Sequence, residues 1–487
     1  MLARCARCPD LEDKLEAIVD EARRLGASYS EARIQRNIVV SISSRNGIPI
    51  KVDERIDEGL AIRVLVDGAL GFSSTNSMDD ESISKCIDYA LSTARASSKY
   101  MRRPICFSKA RLGSVRYEVK EKESFDAHDI SDKFSLHKSI YSMLRDTVKN
   151  VELEIFSAEY MEMIEEKLIV NSDGGFVSSR IPRLSLRYNI ILRDPIKGSI
   201  QRINEYGFSG GLEKFREQHI DENIIEESRR LEKVLLESVK PPSGIVDVVV
   251  GSEVASLIVH ESCGHPCEAD RILGREAAQA GLSFIKPSMK GARIGSIHAT
   301  VVDDPTIPGS FGFYLYDDEC VAAGEKYLYR EGVIEGFLHN RWTAYVFGVE
   351  SNGSARALNY RSEPIVRMSN TYLTPGDYSL EELIEGIRDG VYISSYMEWN
   401  IDDERWNQRY VGLEAYRIIG GELREPVRNP ILEITTSDFY SKIDAKGCDL
   451  RFEAGLCGKG EPMQGIPVWF GSPDVRLRHV KLGVHTL

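Results

Sequence analysis

No stretch of this chain is apolar for the length of a membrane-spanning helix, about 20 residues. The nearest approach, Val246-Asp247-Val248-Val249-Val250, is broken by its aspartate. Met1 to Asp10 holds no apolar core of signal-peptide length. Cysteine is sparse: nine thiols, an odd number and widely scattered, do not make a disulfide framework. The odd cysteine count fits a reducing compartment, and with no signal-peptide core or membrane span the cytoplasm is expected. No Lys/Arg-rich tract offsets the net charge of −13, which comes from 62 basic and 75 acidic residues. Nucleic acid is therefore excluded as the main partner, and a membrane is not expected as one. No internal repeat at solenoid period is found.

The chain is otherwise an ordinary globular one, with 42% hydrophobic and 28% charged residues. Its 487 residues are enough for several domains with their own cores. Leu11, Leu15, Ile18, Val19, Ala22 and Leu25 recur at helical spacing before Gly26. Alternating strands follow, with turns at Asn46-Gly47 and Asp67-Gly68, and Asp79 to Ser98 returns to helical spacing. This predicts a two-layer α/β domain over residues 1–108. A middle α+β segment is expected over 109–240. It carries a helix at Ile130–Val148, strand-like runs at 151–156, 167–170 and 184–192, a turn at Asn171–Gly175, and a helix at Ile220–Leu236. Pro241-Pro242-Ser243-Gly244 is the clearest linker. Residues 241–487 then form a β-rich mixed domain, so the fold class is α+β. Asp317-Asp318-Glu319 reads as a solvated acidic loop, and Cys5-Ala6-Arg7-Cys8 as a frayed end carrying a weak metal or redox spacing.

The chemistry concentrates at His260-Glu261-Ser262-Cys263-Gly264-His265, which follows the apolar segment Val254–Val259. Two neutral imidazoles and a carboxylate are what a hydrolytic zinc site uses. The familiar zinc helix places its histidines four apart; here they are five apart. Five residues advance a regular helix to roughly 140° away, nearly the opposite face. A π-bulge or local unwinding is therefore predicted, a distortion common at functional sites. Gly264 is read as permitting it, and Pro266 as biasing His265 out of helical geometry. Glu261, next to the first histidine, is expected to act as general base toward water activated by the metal.

A catalytic zinc commonly takes three protein ligands. Cys263 and Cys267 qualify on local spacing, although small buried residues are the commonest role for free cysteine. Cys457 qualifies within Gly455-Leu456-Cys457-Gly458-Lys459-Gly460, a glycine-flanked stretch read as a loop, where Lys459 would lower the thiol pKa. The residues alone leave the choice open. They also leave open a zinc-stabilised subunit that binds peptide or protein without cleaving it. A zinc deaminase is disfavoured, because its signature wants His-x-Glu and a second cysteine where Asp270 stands. Gly458-Lys459-Gly460 lacks the Ser/Thr of a phosphate-binding loop.

His260-Glu261-x-x-Gly264-His265, about two hundred residues ahead of Gly455-x-Cys457-Gly458-Lys459, resembles the TldD/PmbA family, and its metal-bearing TldD branch in particular. Gly59–Val64 and the Asn171–Gly175 turn resemble the same family's earlier segments. The resemblance implies a cytoplasmic zinc peptidase acting on unfolded or short peptides and on modified peptide precursors. It implies His260, His265 and Cys457 as ligands to Zn2+ and Glu261 as the catalytic residue. It also implies a dimer, with itself or with a metal-free TldE-type subunit, and an enclosed site that admits only an extended chain. Substrate is expected to add as a strand at a sheet edge. No oxyanion donor is legible; His298, His339 and Arg341 are the nearest candidates.

Overall fold

The structure is a computed structural model and describes residues 9–276 and 281–484. Cys5 to Cys8 lie outside the described residues. Helix α1, Pro9–Arg24, buries Leu15, Ile18, Val19 and Ala22. Strand β1, Tyr29–Arg45, turns through Asn46 and Gly47 into β2, Ile48–Val66, and β2 turns through Asp67 and Gly68 into β3, Ala69–Thr75. All four turn residues have positive φ, between 48° and 76°, as the tight turn between twisted antiparallel strands requires. Helix α2, Asp80–Ser98, begins at Asp79, whose carboxylate accepts from the Ser82 N–H. Helices α1 and α2 share one core with β1 and β2.

Next come β4, Ser114–Glu118, and α3, Ile130–Thr147. Strands β5, Glu152–Asn171, β6, Phe176–Asp194, and β7, Gly198–Ser209, follow, then α4, Glu213–Glu217, and α5, Ile220–Glu237. The two strand-like runs at 151–156 and 167–170 are one strand of 20 residues. Its charged centre hides this in the sequence. There, β1 and β6 pair with β5 on both edges, and the charges find partners: Glu162 takes Lys133 at 2.8 Å and Glu165 takes Arg183 at 3.2 Å. The sheet order is β3-β2-β1-β5-β6-β4, with β7 also on β6. Because β1 pairs with β5 from Glu31–Asn171 to Arg45–Ser157, one sheet runs through the first and middle segments.

The last segment holds two larger sheets. Strand β8, Gly244–Val250, is central in a nine-stranded sheet, between Val475–Val484 and Asp389–Ile393. A six-stranded sheet runs in the order Val333–Ile334, Lys326–Arg330, Val301–Asp303, Asn370–Leu373, Gln464–Ser472, Arg451–Lys459. Helix α6, Ser252–Val259, follows β8 directly and packs on the last three of those strands. The architecture is mixed α+β. Among the described residues, no helix is long and apolar enough to cross a membrane.

The acidic run departs from expectation. Asp317, Asp318 and Glu319 are buried, at 2%, 4% and 0% exposure. Asp317 accepts the N–H groups of Glu319, Val321 and Ala355. Asp318 lies 2.9 Å from Lys167 of β5 and 3.9 Å from Arg33 of β1. Glu319 shares Arg63 of β2 with Glu31, at 2.9 and 2.8 Å. The run docks the last segment onto the face of the first sheet. Cations on β1, β2 and β5, far away in sequence, make that burial possible.

Removing one partner of a buried pair leaves the other uncompensated. Asp318→Ala is therefore expected to cost about 3–5 kcal/mol in chemical denaturation; a change within about 0.5 kcal/mol would mean a solvated loop. Burial also pushes His137 and His339 down to about 4. The unfolded chain protonates these rings near pH 6.5, so stability should fall as pH drops from about 6.5 toward 4, by up to about 3 kcal/mol per ring. His137→Gln should flatten that slope, and an unchanged slope would contradict the assignment.

Candidate metal centre

Helix α6 is buried along nearly its whole length, which fixes the direction in which the next residues leave it. At its end the coil widens. His260–Gly264 is a π-turn, and the N–H of His265 donates to the carbonyl of His260, five residues back. That one extra residue per turn cancels the angular mismatch of the 5-residue spacing. The two imidazoles come together with ring centroids 4.9 Å apart. Gly264 has φ −55°, ordinary helical backbone, so its role is not left-handed freedom. A Cβ there would meet the Met368 sulfur at 1.9 Å, so any side chain would need Met368 to move, and close packing is what the glycine serves. Pro266 does not push His265 out of helical geometry, since His265 has φ −60° and ψ −46°. Pro266 sits in a short 3-10 turn, His265–Cys267, at an early position where its missing N–H costs little.

The third donor comes from the edge of the six-stranded sheet. The stretch read as a loop is a strand, Arg451–Lys459, in which Cys457 pairs with Ile466. Cys457 Sγ lies 3.4 Å from His265 Nε2, and donor atoms of His260, His265 and Cys457 all lie within 4.8 Å of one another. Cys263 and Cys267 are fully buried and do not join the cluster. Burial, the neighbouring Cys267 thiol and its surroundings push the Cys263 thiol well up.

Electrostatics suit a metal. Burial lowers the pKa of both His260 and His265, favouring neutral rings. Burial would raise the Cys457 thiol, but His265 and Arg367 bring it down to about 7. Arg367 also donates to the Cys457 carbonyl. Lys459 is not the cause: it turns away to Asp270 at 2.7 Å and Glu268 at 3.4 Å. His265 Nδ1 lies 3.0 Å from Glu268 Oε2. Burial would raise the Glu268 carboxyl, yet Lys459, Arg271 and His265 hold it well below the usual carboxylate range. Glu268 is thus an acceptor. It fixes the His265 proton on Nδ1 and leaves the Nε2 lone pair facing the cluster.

The chain fits zinc. Donors bound at about 2.0–2.3 Å in a tetrahedron stand roughly 3.3–3.8 Å apart, and the Sγ–Nε2 separation of 3.4 Å already matches. His260 Nδ1 is buried without a hydrogen-bond partner. Two neutral nitrogens and a readily ionised thiol form a zinc donor set.

Glu261 is buried beside the cluster, and its carboxylate is ion-paired with Arg405. Arg405 sits on the turn between Tyr396–Ile401 and Asn407–Gly412, with a left-handed φ of 66°. His298, His339 and Arg341 lie elsewhere. His339 packs against Phe337 and Phe347. Arg341 reaches Asp173 and the Ser108 carbonyl, and His298 is near Lys446 and Asp444. Glu268, Arg367 and Arg405 escaped the sequence reading. Only Glu268 left a local signal there, three residues past His265.

Protein-family profiles match most of the chain. Residues 243–484 match the profile of the PmbA/TldA metallopeptidase C-terminal domain, 30–94 match domain 1, and 123–236 the central domain. A metalloprotease of Methanothermobacter thermautotrophicus is 32% identical, over 97% of both chains.

The chain belongs to the PmbA/TldD metallopeptidase family.

Within it, the zinc metalloprotease TldD homolog of Saccharolobus solfataricus is 27% identical, over 96% of this chain and 98% of the other. The fold is shared with TldE from Thermococcus kodakarensis, with a TM-score of 0.74 at 17% identity, covering 96% of this chain and 99% of that one. A Thermotoga maritima structure gives 0.77 at 20%, covering 97% and 100%.

The Glu268–His265 contact leads to a direct test. Glu268→Gln keeps the shape but removes the charge. Zinc affinity, measured by competition with a chelator, should fall about 10- to 100-fold; unchanged affinity would separate Glu268 from the metal.

Proposed function

We propose that this protein is a zinc-dependent peptidase that hydrolyses peptide bonds of unfolded or short peptides, modified peptide precursors among them. The observation that carries the reading is the convergence of His260, His265 and Cys457 with a carboxylate, Glu261, on the adjoining residue. A structural zinc site has no need of a neighbouring base.

In this reading His260, His265 and Cys457 hold the ion, with two neutral rings and one thiolate. Zinc, when bound, supplies a Lewis acid that polarises the scissile carbonyl and acidifies water. Glu261 accepts a proton from the attacking water and returns it to the leaving amine. Arg405 orients the Glu261 carboxylate through their ion pair. Glu268 holds His265 in the tautomer that offers Nε2. The substrate lies extended along the outer side of Arg451–Lys459, which is the edge strand of its sheet. Hydrogen bonds to main chain there would tolerate many side chains. All the named residues fall within the C-terminal segment, 241–487. We further propose a cytoplasmic dimer, with itself or with a metal-free TldE-type subunit. The close fold of the Thermococcus kodakarensis TldE supports that partnership.

Two variants test the roles. Glu261→Gln should keep zinc, by elemental analysis, while cleavage of an unfolded peptide falls roughly 10²- to 10⁴-fold. Cys457→Ala should lose the metal and the activity together. Normal turnover in the first variant, or full zinc in the second, would refute the corresponding role. Tight peptide binding with no cleavage by the zinc-loaded protein would favour a binding subunit instead.

A further inference from the structure

The strand that carries Cys457 has a second face. Successive residues of a strand point to opposite sides. Cys457 faces the metal side, so Leu456 faces the first sheet. Between them is a cavity of about 170 Å³, bounded by the Leu456 and Gly465–Pro467 arms of the hairpin, by β5 and β6, and by the docked acidic loop. Its apolar wall comes from Met161, Met163, Ile169, Val177, Ile181 and Leu456. Leu456 is 52% exposed, which puts it at the mouth.

We propose that this cavity is the specificity subsite for a substrate residue flanking the scissile bond, and that it selects an uncharged apolar side chain of about leucine to phenylalanine size. The proposal rests on the peptidase reading above and adds the substrate class. A peptide laid along the edge strand shares its pleat. Side chains of the bound strand alternate between the two faces of the sheet, so every second one points to the cavity side. The size suits such a group, since a cavity of about 150 Å³ in a protein core admits benzene. The two methionines can reshape around different apolar groups.

Cationic side chains should be rejected, because the carboxylates in the wall, Glu165, Asp317 and Asp318, are already satisfied. Lys167 pairs with Asp318 and Glu165. Arg183 pairs with Glu165 and donates to the Phe311 and Phe313 carbonyls. Arg356 donates to the Met368 and Pro467 carbonyls. A new cation would lose its hydration without gaining a partner, and it would meet Arg55, Lys167, Arg183 and Arg356 in the same lining.

The test uses the zinc-loaded full chain and a random peptide mixture, with cut sites read by mass spectrometry. The wild type should cut with Leu, Met or Phe enriched at least tenfold over Lys and Arg at one flanking position. Met163→Trp, which fills the cavity, should lose that enrichment and shift toward Gly and Ala. Leu456→Ala changes an exposed side chain and so avoids the folding risk of a core replacement; it should widen acceptance toward Trp. Identical profiles in all three proteins would overturn the proposal. If nothing is cleaved, the peptidase reading fails separately. The cavity is then judged by fluorescence anisotropy with two labelled peptides, one bearing leucine and one glycine at the same position. At least tenfold tighter binding of the leucine peptide, abolished in Met163→Trp, supports the subsite, and equal binding overturns it.

Discussion

One hydrogen bond, from the His265 N–H to the His260 carbonyl five residues back, governs the centre. In a regular helix those imidazoles would diverge; in the widened turn they converge. The bond is held from both sides. The preceding helix is buried and packs on the six-stranded sheet, and the Met368 sulfur fills the space a side chain on residue 264 would need. The following 3-10 turn brings Glu268 against His265. The metal-site geometry therefore follows from packing of the whole C-terminal segment rather than from a flexible loop.

The same economy joins the two halves of the molecule. The acidic run at 317–319 is buried against cations of β1, β2 and β5. That docking closes the space on the far side of the Cys457 strand. The edge strand thus has a zinc-type donor set on one face and an apolar chamber on the other. On the proposed reading, an extended substrate laid beside it meets both.

Local chemistry was legible in the sequence and long-range pairing was not. The turns at Asn46-Gly47 and Asp67-Gly68, the helix that follows Asp79, and the distorted turn at His260 each follow from residues within a few positions of one another. What escaped depends on partners that sequence distance hides. The charged centre of β5 looks unlike a strand until β1 and β6 flank it. Asp317–Glu319 looks solvated until Arg63 and Lys167 arrive. Cys457 could be weighed against Cys263 and Cys267 only through a family resemblance, because nothing local shows that a strand two hundred residues on reaches the same point. Lys459 was misread for the same reason: its partners, Glu268 and Asp270, lie on the histidine segment.

The account stands on three side chains sharing one ion. Zinc-edge X-ray absorption on the purified protein measures this without reference to activity. It should show stoichiometric zinc with one sulfur at about 2.3 Å and nitrogen or oxygen neighbours at about 2.0–2.1 Å, the sulfur vanishing in Cys457→Ser. A zinc environment made only of nitrogen and oxygen, or a protein that takes up no zinc, would contradict it.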